Sequence, residues 1–119
     1  MENRRQRARR YSFLASIELA DVKSDIQTKG QTENLSLFGC RVDTPMPLPT
    51  ETRVRVKIVY GDAQFAALGR VAYIHSERAM GVVFTMIESN DQSILERWIQ
   101  ELRDGQEPNA NEVGREIVA

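Results

Sequence analysis

Two short stretches hold the residue types best suited to gripping a ligand. Near the start, Arg4, Arg5, Arg7, Arg9 and Arg10 crowd around Gln6 and Ala8. Further on stands the turn Asn34-Leu35-Ser36-Leu37-Phe38-Gly39. Arginine presents a planar fork of donors. That fork fits a phosphate or the O6/N7 edge of a guanine with two parallel bonds, and its plane stacks on a purine. Asn34 offers an amide to a base edge, and Ser36 a hydroxyl to a phosphate or base. Gly39 permits a close backbone approach or a positive φ. This is the chemistry of holding a small anion. Each stretch alone has a plainer reading. A terminal arginine run is usually a solvated segment, and an Asn-x-Ser turn is usually a strand connection.

Catalysis needs a nucleophile with an oriented base, paired carboxylates or a metal. No such cluster stands out, so neither an enzyme nor a cofactor is expected. His75 is the only histidine and Cys40 the only cysteine. Neither has a second ligand nearby, so no metal site is expected. His75 reads as a surface residue and Cys40 as a small core residue. The charge is uneven. Five arginines against Glu2 leave +4 on the first ten residues, and the formal total of −1 then leaves −5 on the rest. A basic arm on an acidic body suits a small anion. A long polyanion would be repelled, which argues against nucleic acid.

The elements that must position these residues are mostly strands. Tyr11 to Asp21 alternates, with Phe13, Ala15, Ile17 and Leu19 on one face, which predicts a half-buried strand. Lys23 to Lys29 is turn-like, and a polar strand is expected near Gly30 to Leu35. Cys40 to Thr44 alternates again, with Cys40 and Val42 inward. Pro45, Pro47 and Pro49 interrupt the ladder. Arg53 to Tyr60 is the cleanest strand, with Val54, Val56 and Ile58 inward and Arg53, Arg55 and Lys57 outward. A hairpin turn at Tyr60-Gly61-Asp62-Ala63 leads to a strand over Phe65 to Ile74. A polar loop at His75 to Arg78 precedes a short strand over Met80 to Phe84, with Met80 and Met86 as core filler.

The period then changes. Ile94, Leu95, Trp98, Ile99 and Leu102 recur at helical spacing, predicting an amphipathic helix over Asp91 to Asp104. Ser89, Asn90 and Asp91 offer a cap, and Gly105 sits where a terminating glycine belongs. The expected fold is all-β: a six-stranded antiparallel β-barrel with a C-terminal α-helix. The 119 residues divide into an arm (1–10), a barrel with its helix (11–104) and a tail expected to be disordered (105–119). No apolar run is long enough to span a membrane, the charged N-terminus without an apolar stretch is not expected to be a secretory signal, and the single cysteine suits a reducing compartment. A cytoplasmic protein is expected.

The arm and the turn together resemble the two-part signature of the PilZ family. That signature is Arg-x-x-x-Arg before the first strand, then Asp/Asn-x-Ser-x-x-Gly between the second and third. Arg5-Gln6-Arg7-Ala8-Arg9 is similar to the first part and Asn34 to Gly39 to the second. Gly69-Arg70-Val71-Ala72-Tyr73 and Gly81-Val82-Val83-Phe84 resemble the family's fifth and sixth strands, and Ile94 to Leu102 its closing helix. The resemblance implies a bacterial receptor that binds cyclic di-GMP (cyclic diguanylate) through Arg5, Arg9, Asn34, Ser36 and Gly39. Arg4 and Arg10 are further candidates, because the surplus arginines allow more than one register. It implies signalling to a downstream protein partner in motility, exopolysaccharide synthesis or virulence, with the ligand ordering the arm. Aspartate is commoner than asparagine at position 34, so the resemblance implies weaker binding there. The alternative is a protein-interaction module of the same fold that binds no nucleotide.

Overall fold

The structure is a computed structural model that describes residues 8–106. Arg4, Arg5 and Arg7, and the tail from residue 107 onward, lie outside the described residues. The elements run β1 (Tyr11–Ser12), β2 (Ser16–Asp21), β3 (Gln27–Leu35), β4 (Gly39–Asp43), β5 (Arg53–Tyr60), β6 (Ala63–Ile74), β7 (Ala79–Met86) and helix α1 (Ser89–Gln106). The strands pair antiparallel in the order β1-β3-β2-β5-β6-β7-β4, and β4 pairs back onto β3. That last pairing closes a six-stranded barrel, as the alternation implied. The two-residue β1 is added beside the end of β3, with Tyr11 opposite Leu35 and Ser12 opposite Asn34.

The predicted first strand is split in two. Its alternation continues through the break, because Tyr11, Phe13, Ala15, Ile17 and Leu19 are all buried. What changes is the bonding partner. The Thr32 hydroxyl donates to the Phe13 carbonyl at 2.6 Å and accepts from the Ala15 amide at 2.9 Å, replacing part of the ladder with a side chain. β3 begins three residues earlier than its composition suggested. The turn before it is tight: the Asp25 amide bonds the Asp21 carbonyl and the Asp21 amide bonds the Ile26 carbonyl, both at 2.8 Å. β5 and the hairpin at Gly61 stand where the sequence placed them, with Gly61 at φ 62°. Only glycine adopts that backbone region freely.

Met80 is core, but Met86 is 60% exposed, which corrects the reading of it as core filler. The β6–β7 register slips between Leu68 and Gly69, so Met86 pairs with Leu68 on the outer wall. A bulge of one residue reverses the face of everything beyond it.

The helix stripe covers the mouth of the barrel. Leu95, Trp98 and Ile99 are buried, and Ile94 and Leu102 pack against the core. Trp98 lies 5.4 Å from the Phe13 ring, 5.5 Å from Tyr60 and 6.2 Å from Phe65. Ser89, Asn90 and Asp91 form the first turn instead of capping it. The Asp91 carboxylate instead accepts from the Ala66 amide at 2.9 Å and ties the helix to β6. Gly105 is helical and does not terminate the helix in a left-handed conformation. A glycine in an exposed last turn costs little where helix ends fray.

Candidate functional site

Asn34 faces outward because β3 carries a bulge. Thr32 is fully buried and pairs with Val42, and an unbroken strand would turn Asn34 inward as well. The register shifts between Thr32 and Asn34, so Asn34 pairs with Arg41 and Leu35 takes the inward position opposite Cys40. The bulge thus lifts one amide side chain onto the outer wall where β1 delivers the arm.

The arm's root is already in contact there. Arg10 Nη1 donates to Asn34 Oδ1 at 2.9 Å. Arg9 goes elsewhere, with its guanidinium carbon 4.9 Å from the centre of the Tyr11 ring. Spacing favoured the Arg5/Arg9 pair; among the described residues Arg10 contacts the turn. Arg4 and Arg5 lie outside the described residues.

The turn is built on Ser36 and Gly39. Ser36 is 3% exposed. Its amide donates to the Gly39 carbonyl at 2.8 Å, and its hydroxyl accepts from the Phe38 amide at 3.0 Å. In this conformation the hydroxyl holds the bend. Gly39 has no left-handed φ. A Cβ there would fall 2.1 Å from the Val82 carbonyl oxygen, so glycine is required by the close approach of β4 and β7. Arg10 and Asn34 therefore form the accessible pair, while Ser36 and Gly39 shape the bend beside it.

Pairing across the strands extends the wall outward from Asn34: Arg41 opposite Asn34, Gly81 opposite Arg41, and Tyr73 opposite Gly81. A Cβ on Gly81 would lie 2.1 Å from the Tyr73 ring, so the ring lies directly over that glycine. Arg41 Nε donates to Glu33 Oε1 at 2.7 Å. Glu33, and then Tyr73, hold the Arg41 guanidinium above its ordinary pKa. The single-strand alternation marked Arg41 as outward but could not show that it neighbours Asn34. Beneath the wall, burial pushes the Cys40 thiol up to about 12, against a smaller opposing effect of the Arg10 charge. No group among the described residues could hold a metal ion, and no described helix is long and apolar enough to cross a membrane.

Solved structures with this fold include YcgR of Escherichia coli in complex with c-di-GMP, at a TM-score of 0.72 and 17% identity. The match covers 92% of this chain and 50% of that one. The PilZ domain of CeSA from a cellulose-synthesizing bacterium matches at 0.65 and 20% identity, over 81% and 99% of the two chains. The Bacillus subtilis inhibitor of motility MotI/DgrA matches at 0.70 and 16%, over 82% and 51%. The chain thus spans about half the length of the YcgR and MotI chains. No curated protein sequence matches it. The family model of the PilZ domain matches residues 3–101, spanning arm, barrel and most of the helix, and the chain belongs to that family.

Proposed function

We propose that this chain is a receptor for cyclic diguanylate, gripping the ligand between the arginine arm and the outer wall at Asn34. The contact between Arg10 and Asn34 carries the reading, because it joins the arm to the motif turn before any ligand arrives. With Oδ1 committed to Arg10, the Asn34 amide group keeps its two donors for guanine acceptors. Arg10 has donors to spare for a phosphate, and Arg4, Arg5 and Arg9 add forks along the arm. Ser36 and Gly39 hold the bend that presents Asn34, and the Ser36 hydroxyl becomes available to the ligand if the bend opens. Ligand binding draws the arm onto the wall and so changes the surface that a partner meets. The YcgR complex with c-di-GMP, of the same fold, supports this ligand class.

Titration calorimetry of the full chain with cyclic diguanylate tests the reading. Arg10→Ala and Asn34→Ala are each expected to weaken binding by about 2–5 kcal/mol, the range for truncating one partner of a desolvated, hydrogen-bonded contact to a charge. Arg5→Ala/Arg9→Ala is expected to weaken it too, and amide signals of residues 4–8 should shift on titration. No heat from the unmodified chain at millimolar ligand would remove the nucleotide and leave an interaction module.

A further inference from the structure

The outer wall of β5, β6 and β7 carries a belt that the nucleotide reading does not use. Three clefts run along it end to end. The first, about 290 Å³, lies between Leu37, Phe38 and Met86. The second, about 370 Å³, lies between Met86, Leu68 and Arg55. The third, about 340 Å³, lies between Leu68, Val22, Arg53 and Arg70. Met86 walls the first two and Leu68 the last two, so neighbouring clefts adjoin. All five apolar side chains are exposed. Single exposed apolar residues need no explanation, but a connected row of them marks a contact surface.

One end of the belt is cationic. Arg53 and Arg70 stand directly opposite each other in the β5–β6 register. Like charges in that arrangement cost stability unless an anion lies between or beside them. Arg70 Nη1 reaches Glu51 at 3.3 Å and Arg55 Nη2 reaches Asp25 at 2.6 Å. Both pairs are exposed, and such pairs are weak enough to be shared with an arriving carboxylate. The Arg53 side chain has no partner among the described residues. In the middle cleft Asp91 is committed to the Ala66 amide, and Glu88 lines the same cleft. The belt is therefore polarised: the uncompensated Arg53 stands beside Val22, and Glu88 and Asp91 stand beside Met86.

We propose that this belt docks a protein partner through an amphipathic acidic segment. Its apolar side chains fill the clefts beside Met86 and Leu68, and its carboxylates reach Arg53 and Arg70. The belt begins at Leu37 and Phe38, in the turn that also carries Asn34, so the two surfaces share one element. The docking itself needs no nucleotide.

The test is an amide chemical-shift titration of the full chain with a monomeric amphipathic peptide bearing a leucine stripe flanked by glutamates. The same peptide with lysine at every glutamate is the control. Saturable shifts at Leu68, Arg70 and Met86 are expected, with binding about tenfold weaker or worse for the lysine peptide. Arg53→Glu and Met86→Ser should each weaken the glutamate peptide about tenfold without lowering the melting temperature and with the cyclic diguanylate titration unchanged. Equal binding of both peptides, no saturable shift on this wall, or an indifferent Arg53→Glu overturns the proposal. So does self-association abolished by Met86→Glu, which assigns the wall to a second copy. Co-sedimentation with anionic vesicles that Arg53→Glu abolishes assigns it to a lipid surface and equally overturns it.

Discussion

Gly39 and Gly81 sit on adjacent strands and respond differently to a methyl group. At Gly39 the obstacle is the Val82 carbonyl, which is backbone within a paired ladder and cannot move alone. Gly39→Ala is expected to cost about 3 kcal/mol of stability, measured by urea unfolding, since overpacking that shifts backbone lies at the upper end of its range. At Gly81 the obstacle is the far edge of the exposed Tyr73 ring, which can swing aside. Gly81→Ala is expected to cost less than about 1 kcal/mol. A Gly39→Ala chain as stable as the unmodified protein would refute the packing account. Cys40 gives a second test. Its thiol ordinarily titrates near 9.0 and is pushed up to about 12 by burial. The folded state thus keeps a proton that the unfolded chain releases. Stability should be unaffected by this group below pH 9 and fall between pH 9 and 12. The Cys40→Ala chain should show a shallower decline over that window. The chemistry-bearing residue types were legible in the sequence, including Asn34 and the arginines. The contact of Arg10 with Asn34 was not, because the Arg-x-x-x-Arg spacing singles out Arg5 and Arg9, whereas the pairing of β1 with β3 sets Arg10 beside the turn.

At the scale of elements, Thr32 links the two halves of the wall. It is fully buried, and its hydroxyl serves both the Phe13 carbonyl and the Ala15 amide. Thr32→Val keeps the shape but leaves a buried donor and acceptor unmet, at a cost of about 2–3 kcal/mol. The same residue borders the bulge that turns Asn34 outward, so the variant should also weaken cyclic diguanylate binding beyond its effect on unfolding. Unchanged affinity at a temperature where the variant is fully folded would separate the bulge from the site. β5, the hairpin and the helix were legible from their own period. The break between β1 and β2 and the bulges in β3 and β7 were not. Each shows only in which residues pair across the ladder, as with Met86, whose face is set by the extra residue Thr85 in β7.

At the scale of the whole molecule, the helix closes the barrel and supports the arm through one aromatic cluster. Phe13 leads from β1, Tyr60 ends β5, Phe65 opens β6, and Trp98 of the helix touches all three rings. Phe13 and Tyr60 are themselves only 4.6 Å apart. Trp98 is 3% exposed, so removing its ring opens a large cavity between helix and barrel. Trp98→Ala is expected to lower stability by about 3–5 kcal/mol, and Trp98→Phe by less. The damage should not be uniform. β1 is two residues long and leans on Phe13, so its amides should exchange faster with solvent in Trp98→Ala, while those of β5 and β6 stay protected up to global unfolding. Arg10 and Asn34 meet beside that same β1, so helix docking and the proposed ligand grip are expected to be coupled through one ring. If hydrogen exchange shows β1 as protected in Trp98→Ala as in the unmodified chain, the arm is anchored by its own hydrogen bonds to β3 and the helix contributes only to the core.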